Sequence, residues 1–399
     1  MRKGIIILLA ALTACTAKAP LSLQVIRSEM QRCPQATYID GQEGKLKWNY
    51  TTGLELKAFL DVYEISRQAR NDKRGARNDK ILEYVDAWYD AIIDSTGTIY
   101  NYKRANYSQD HICPGRTLFQ LYDVTGKEKY RMAMDTLYRQ IQEQPRTVEG
   151  GFWHKKIYPN QMWLDGLYML EPFYTEYTNR YVPDSLKAAN YADIAHQFTL
   201  IAEKTYDPET GLLRHAWDSS HEMFWCSKPT GQSEHAWGRA LGWYTMALVD
   251  VIGLMPEGEE RNSLISTLNR VMDAVCLSAD MQTGMWYQVP DSPFRAGNYL
   301  EATCSAMFVY VMLKGTRLGI LGVVTPQEAE KAFDSLLKTF VRVDEKGLVN
   351  LDHCCEVAGL GGKQERRGDF EYYINEPIRS NDPKGIGPLI WAALEMENR

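Results

Sequence analysis

One kind of loop recurs along this chain of 399 residues and constrains its fold more than any other feature. "DSTGTIYN" starts at Asp94, "DPETGLLRHAWD" at Asp207, "DMQTGMWYQV" at Asp280 and "DEKGLVNLD" at Asp344, with "RTVEGGFWHK" (146–155) as a degenerate copy. Each has an acidic turn, a glycine that can take a positive φ, and a short extended piece rich in aromatic residues or histidine. Each follows every second helix-patterned segment. Helical spacing puts Ile81, Tyr84, Val85, Trp88 and Ile92 on one face, and Ala240, Tyr244, Ala247, Val251 and Met255 on another. Helices are predicted near 23–33, 51–67, 79–94, 114–124, 127–142, 160–178, 186–204, 236–254, 259–277, 301–319, 326–341 and 385–397. Helix hairpins that share a loop type on one side suggest a closed ring, and six of them make an all-α (α/α)6 barrel, a toroid. The alternative is an open helical solenoid, which would more usually show a uniform repeat and no such polar, aromatic loops. In a ring the loops open at one end, where a site should form.

The hydrophobic fraction of 45% is enough for a large core. No Pro-rich or Gly/Ser-rich linker divides the chain, so residues 23–399 are expected to be one domain. A tandem copy in 67–80, "ARNDKRG" then "ARNDK", reads as a charged surface loop lengthened by duplication. Ten Trp and 24 Tyr suit stacking on sugar rings, although most single rings are better explained as core. A net charge of −6 leaves no footprint for nucleic acid.

The start, "MRKGIIILLAALTAC", has a basic pair, an apolar stretch too short to span a bilayer, and an ending that resembles a bacterial lipoprotein signal. Residues 1–14 are expected to be a signal peptide, Cys15 the lipidated residue and 15–22 a short tether. This implies an exported periplasmic or outer-membrane lipoprotein of a Gram-negative bacterium, held to the membrane only by its anchor. The competing reading is a plain secretory signal. Seven cysteines remain without any C-x-x-C pair, a spacing that suggests neither zinc nor a disulfide framework. No metal or cofactor is implied.

Four clusters combine polar and aromatic residues: "YSQDHICPGR" (Asp110, His111, Arg116), "GGFWHKKIYPNQMWLD" (His154, Lys155, Trp163, Asp165), "GLLRHAWD" (His215, Trp217, Asp218) and "HAWGRALGWY" (His235, Trp237, Arg239, Trp243). Asp165 stands among Trp163, Leu164 and Leu167. Apolar company disfavours the ionised form and would let the carboxyl keep a proton to donate. A helix-start carboxylate satisfied by backbone N–H groups explains it equally well. Asp110 has the same alternative, and His215 reads equally as a core or capping histidine. Arg239 and Trp243, four apart on one helical face, fit a sugar carboxylate and ring face. They also fit a cation–π pair in the core.

Together "WNYTTGL" (48–54), "GGFWHKKIYPNQMWLDGLYM", "RHAWDSS", "HAWGRALGWYTMALVD", "SAMFVYVMLKG" and "EYYINEP…KGIGP" resemble the unsaturated rhamnogalacturonyl hydrolases, glycoside hydrolase family 105. Family 88, the unsaturated glucuronyl hydrolases, is related. The likeness spans nearly the whole mature chain, with the motifs in order. It implies an (α/α)6 barrel acting on the 4-deoxy-hex-4-enuronic acid that a pectin lyase leaves at a non-reducing end. It implies hydration of the C4=C5 enol ether rather than displacement at the anomeric carbon. Matched motif by motif, Asp165 falls on the general acid/base and Asp110 on a second aspartate that places the sugar. Tyr50, His154, Lys155, Trp163, His215, Arg239 and Trp243 fall on substrate contacts. Asp218 is a rival acid, to which the resemblance gives a supporting role. Gln109 and Cys113 are where departures from the family are expected. The substrate would be an unsaturated uronyl oligosaccharide, with ΔGalA-rhamnose as first choice and Δ-glucuronyl units of ulvan or glycosaminoglycans as the alternative. A glycan-binding lipoprotein that lost the chemistry is a third possibility.

Overall fold

The recurring loops fold as one turn repeated. In the computed structural model, which describes residues 19–68 and 75–399, Gly97, Gly211, Gly284 and Gly347 all take φ between 73° and 77°. A side chain with a Cβ would be strained there. The leading aspartate accepts backbone N–H bonds from its own turn: Asp94 from Thr96 and Thr98, Asp207 from Glu209, Asp280 from Thr283, and Asp344 from Lys346 and Leu348. In the degenerate copy the Thr147 hydroxyl takes that place and accepts from the Gly151 N–H at 3.2 Å. Each turn ends one helix and redirects the chain towards the next.

The long helices are α1 (Leu21–Arg32), α2 (Tyr50–Gln68), α3 (Gly75–Ile92), α4 (Arg116–Thr125), α5 (Glu128–Glu143), α6 (Leu164–Tyr181), α7 (Asp184–Thr205), α8 (Gly238–Leu254), α9 (Glu259–Leu277), α10 (Ala302–Arg317), α11 (Pro326–Phe340) and α13 (Pro383–Glu397). A short α12 (Phe370–Ile374) precedes the last. Their packing sorts them into two layers. Helices α2, α4, α6, α8, α10 and α13 form an inner ring in that order. Helices α3, α5, α7, α9, α11 and α1 pack outside as their partners. The patterns explain the sorting. Every residue of α8 from Gly238 to Ile252 is buried, as an inner helix requires. Outer helix α11 buries only Ala329, Phe333, Leu336 and Phe340, a stripe at helical spacing. Fully burying a large apolar side chain contributes about 1.5–3 kcal/mol, which fixes the layer each helix joins.

The ring closes through its ends. α1 packs on α13, and α13 on α2. Ser22 donates its N–H and hydroxyl to Glu397 at 2.9 and 2.6 Å, joining positions 375 apart in sequence. That closure excludes the open solenoid.

Three sequence expectations change. α6 begins at Leu164 rather than near 160, because Gln161–Trp163 (β1) pair antiparallel with Ala216–Asp218 (β2). The second duplicated copy, 76–80, lies in α3 and not in a loop, while 69–74 lie outside the described residues. α1 begins at Leu21, inside the expected tether. The signal segment 1–14 and Cys15 also lie outside the described residues. All seven described cysteines are free, and five are buried.

Candidate active site

Five outer helices hand over to an inner helix through such a loop and α1 hands over to α2 through residues 33–49, so all six inner helices start at the same rim. Each start, or the turn leading into it, contributes a polar side chain: Tyr50 on α2, Asp110 before α4, Asp165 on α6, Arg239 on α8, Glu301 before α10 and Asp382 before α13. Six positive helix ends therefore face one mouth. A cleft of about 620 Å³ opens there, lined by Tyr50, Asp110, His111, Lys155, Glu356 and Lys384 among others.

Asp110 sits in a 3-10 turn (Gln109–His111). Its Oδ2 lies 2.5 Å from Lys155 Nζ and its Oδ1 3.4 Å from His154 Nε2. Burial alone would raise its pKa, but Lys155 and then His154 outweigh it and hold the carboxyl below its ordinary 3.8. Burial pushes His154 down to about 4, assisted by Lys155 and opposed by Asp110 and Asp165, so the ring is neutral near pH 7. His154 stacks on Trp163 at 4.6 Å and 9°, and Trp163 stacks on Tyr158 at 4.9 Å. Gly166 permits this layering, since a Cβ there would come within 1.9 Å of Gln109 Oε1 and 3.0 Å of His154 Nδ1.

Asp165 stands in the first turn of α6, directly after β1. Its side chain is 14% exposed, and its Oδ2 lies 3.1 Å from Nε2 of the fully buried His215. Both of these atoms are buried and neither makes a hydrogen bond, so the pair is a close polar contact. His215 Nδ1 lies 2.7 Å from the Tyr373 hydroxyl. Asp165 is not part of the cleft lining but is electrostatically linked to it. Burial first, and then the charge of Asp110, push the Tyr50 phenol well above its usual pKa, with Asp165 and Asp382 adding to the effect.

The rival carboxylate is used up by its own loop. Asp218 is fully buried. Its Oδ1 accepts from the Ser220 N–H and hydroxyl, and its Oδ2 from the N–H groups of Glu222 and Met223 at 2.9 Å.

Several expected substrate contacts lie behind the surface. Arg239 is 1% exposed. Its guanidinium donates to the carbonyls of Cys355 and Glu356 and lies 3.6 Å from Glu301. Its aromatic neighbour is Trp237, at 5.3 Å, and not Trp243. Arg239 is thus committed to holding Cys354–Cys355 (β5) against α10, rather than presented as a free fork. Trp243 is buried between Tyr50 and Tyr168, with ring centroids 6.3 and 4.8 Å away, and so backs Tyr50. His215 reaches the mouth through Asp165. His154, buried under its stack, touches Asp110. Trp163 is buried as the wall between them. Tyr50 and Lys155 do line the cleft.

Sequence reasoning missed Glu301, Asp382 and Tyr373. Glu301 and Asp382 cap helices, accepting from the N–H groups of Cys304 and Lys384. An acidic residue before an apolar helical run is the signal that pointed to them. Asp382 is fully buried and ion-paired to Lys384 at 2.9 Å and to Arg379 at 2.5 Å.

Comparison with known proteins fits this arrangement. The model of Glycosyl Hydrolase Family 88 matches residues 21–399. A family 105 glycoside hydrolase from C. acetobutylicum superposes with a TM-score of 0.87 at 42% identity, covering 96% of this chain and 100% of that one. Protein Atu3128 of Agrobacterium fabrum is 37% identical over 209 residues, which is 51% of this chain and 89% of the relative. The unsaturated rhamnogalacturonyl hydrolase YesR of Bacillus subtilis is 22% identical over 282 residues, 68% of this chain and 72% of YesR. Toroid, mouth and matches together define a carbohydrate-cleaving hydrolase, a glycosidase. The chain belongs to glycosyl hydrolase family 88, on the fold that this family shares with family 105.

Proposed function

We propose that the protein removes the 4,5-unsaturated galacturonyl residue from the non-reducing end of rhamnogalacturonan-derived oligosaccharides by hydrating its enol ether. Asp165 delivers a proton to C4, and the positive charge that develops at C5 is shared with the ring oxygen. Water adds at C5 after giving its proton to the Asp165 carboxylate. The hemiketal opens and the rest of the saccharide leaves, with one water consumed per cleavage. A single carboxyl serving as acid and then base suffices, without the nucleophile and acid pair of ordinary glycosidases. Asp110, ionised and braced by Lys155 and His154, is the group that orients the sugar hydroxyls. The six helix starts supply a field that favours a uronate carboxylate.

The observation that carries this reading is the contrast between two aspartates: Asp165 keeps its one buried oxygen against a single histidine, while Asp218 is spent on four donors of its own loop. The likeness to YesR supports the galacturonyl-rhamnose choice. The family 88 match supports a second substrate by the same mechanism, a Δ-glucuronyl unit. A panel of lyase-generated unsaturated disaccharides separates them: the substrate loses the ultraviolet absorbance of its conjugated double bond when enzyme is added. If the glucuronyl members react and the galacturonyl-rhamnose member does not, the second reading stands. We also propose export as a Cys15-anchored lipoprotein. Mass spectrometry of the mature N-terminus tests this, since an unlipidated Cys15 or a retained leader excludes it.

A further inference from the structure

The Tyr373 hydroxyl and Asp165 approach the same imidazole from opposite sides. Tyr373 OH lies 2.7 Å from His215 Nδ1, and Asp165 Oδ2 lies 3.1 Å from His215 Nε2. The phenol and the imidazole are sealed from water: Tyr373 and His215 are both fully buried. The ring cannot rotate freely, because Trp237 packs on it at 4.9 Å and the edge of Trp163 lies at 5.5 Å. Tyr373 is itself fixed. Its ring stacks on Trp237 at 5.9 Å and 17°, and its carbonyl accepts from Gln288 at 3.1 Å.

Two proton arrangements fit the three groups. If Nδ1 carried the hydrogen, the Tyr373 hydroxyl would accept it and its own O–H would lack an acceptor in a dry site, at the cost of an unmade buried hydrogen bond. Burial holds the Tyr373 phenol well above its ordinary pKa, so its O–H proton is always present. If Tyr373 donates to Nδ1, the phenol is satisfied and the ring hydrogen stands on Nε2, the atom 3.1 Å from Asp165 Oδ2. A neutral carboxyl has one hydroxyl oxygen and one acceptor oxygen. A hydrogen on Nε2 disfavours a second one on the facing Oδ2 and so favours the acid proton on Oδ1.

We propose that Tyr373 is a positioning residue for the proton transfer: through the His215 tautomer it selects the Asp165 oxygen that holds the proton for C4. This rests on the reading of Asp165 as proton donor, whereas the tautomer itself does not. The residues are far apart in sequence, His215 and Tyr373 by 158 positions, and only the ring closure brings α12 over the α6 start.

Two measurements test it. In protein labelled with 15N-histidine, the His215 ring should appear as the neutral Nε2–H form at neutral pH. In Tyr373→Phe, which keeps the ring and its stacking, the fixed tautomer should be lost. On an unsaturated uronyl disaccharide, the same variant should lower kcat about 10- to 100-fold with KM within about twofold, because a misplaced proton weakens only the transition state. An Nδ1–H tautomer in the wild type overturns the proposal, and so does a Tyr373→Phe enzyme with unchanged kcat. If no unsaturated uronide reacts with the wild type, the functional reading fails, and the spectrum alone decides whether Tyr373 sets the tautomer.

Discussion

Two aspartates inside the ring, Asp250 buried and Asp165 partly exposed, are treated in opposite ways. Deep in the barrel, Asp250 near the end of α8 is held by Arg116 at 2.7 Å, Lys314 at 2.6 Å and the Tyr310 hydroxyl at 2.7 Å. Burial alone would raise its pKa, but Lys314 and then Arg116 pull it well below the ordinary carboxylate range. At the mouth, Asp165 has one histidine beside it and, among the described residues, no lysine or arginine paired to it. Between the two runs a column of side chains: Tyr50, Trp243, Tyr168 and then Arg116, whose guanidinium lies 4.9 Å from the Tyr168 ring. The deep site satisfies its charge completely and so fastens α4, α8 and α10 together. The mouth leaves its carboxyl under-satisfied, which is what a proton donor needs and a stabilising ion pair does not.

Substitution should separate the two. Asp165→Asn should lower kcat about 10²- to 10⁴-fold, since an amide cannot donate the proton, with the melting temperature essentially unchanged. Asp250→Ala should do the reverse. Leaving Arg116 and Lys314 buried without their counterion should cost about 3–5 kcal/mol, read as a fall in the urea midpoint. The wild-type stability from Asp250 is fully present at neutral pH and is lost as pH falls below the ordinary carboxylate value through the depressed one. The variant should lack that acid-dependent part. A strong kcat loss in a fully stable Asp250→Ala protein would break the comparison.

Asp218→Asn tests a third aspartate, fully buried under its own loop. Losing acceptors for its own loop should destabilise by about 1–3 kcal/mol and leave kcat within about threefold. The smallest effect is expected at Lys155→Met. Without the cation, burial dominates Asp110 and its pKa rises, so the acid limb of kcat/KM should move to higher pH. KM should rise about tenfold from the lost charge-assisted contact. An unmoved acid limb would show that Asp110 does not carry the ionised role given to it.

The ring and its turns were legible because local chemistry writes them. The aspartate, the positive-φ glycine and the helical period all act within a few residues. Asp110, Tyr50 and Lys155 were legible because they precede or begin inner helices in recognisable motifs. The supporting contacts were not. Whether Arg239 forks onto a substrate or onto the protein depends on Cys355, 116 positions away. The partner of His215 lies farther still, and nothing near Trp243 in sequence decides between a sugar platform and a core ring, because Tyr50 and Tyr168, which enclose it, are distant. Asp218 and Asp165 look alike along the chain, and only the folding of residues 220–223 back onto Asp218 shows which one its own loop consumes.

The most direct test of the acid role of Asp165 is turnover of an unsaturated galacturonyl disaccharide in D2O by wild type, Asp165→Asn and Asp218→Asn, followed by absorbance and by mass spectrometry of the released sugar. Wild type and Asp218→Asn should bleach the double bond and place one deuterium at C4, while Asp165→Asn does neither. A released sugar that keeps its absorbance, or an active Asp165→Asn beside a dead Asp218→Asn, would contradict it.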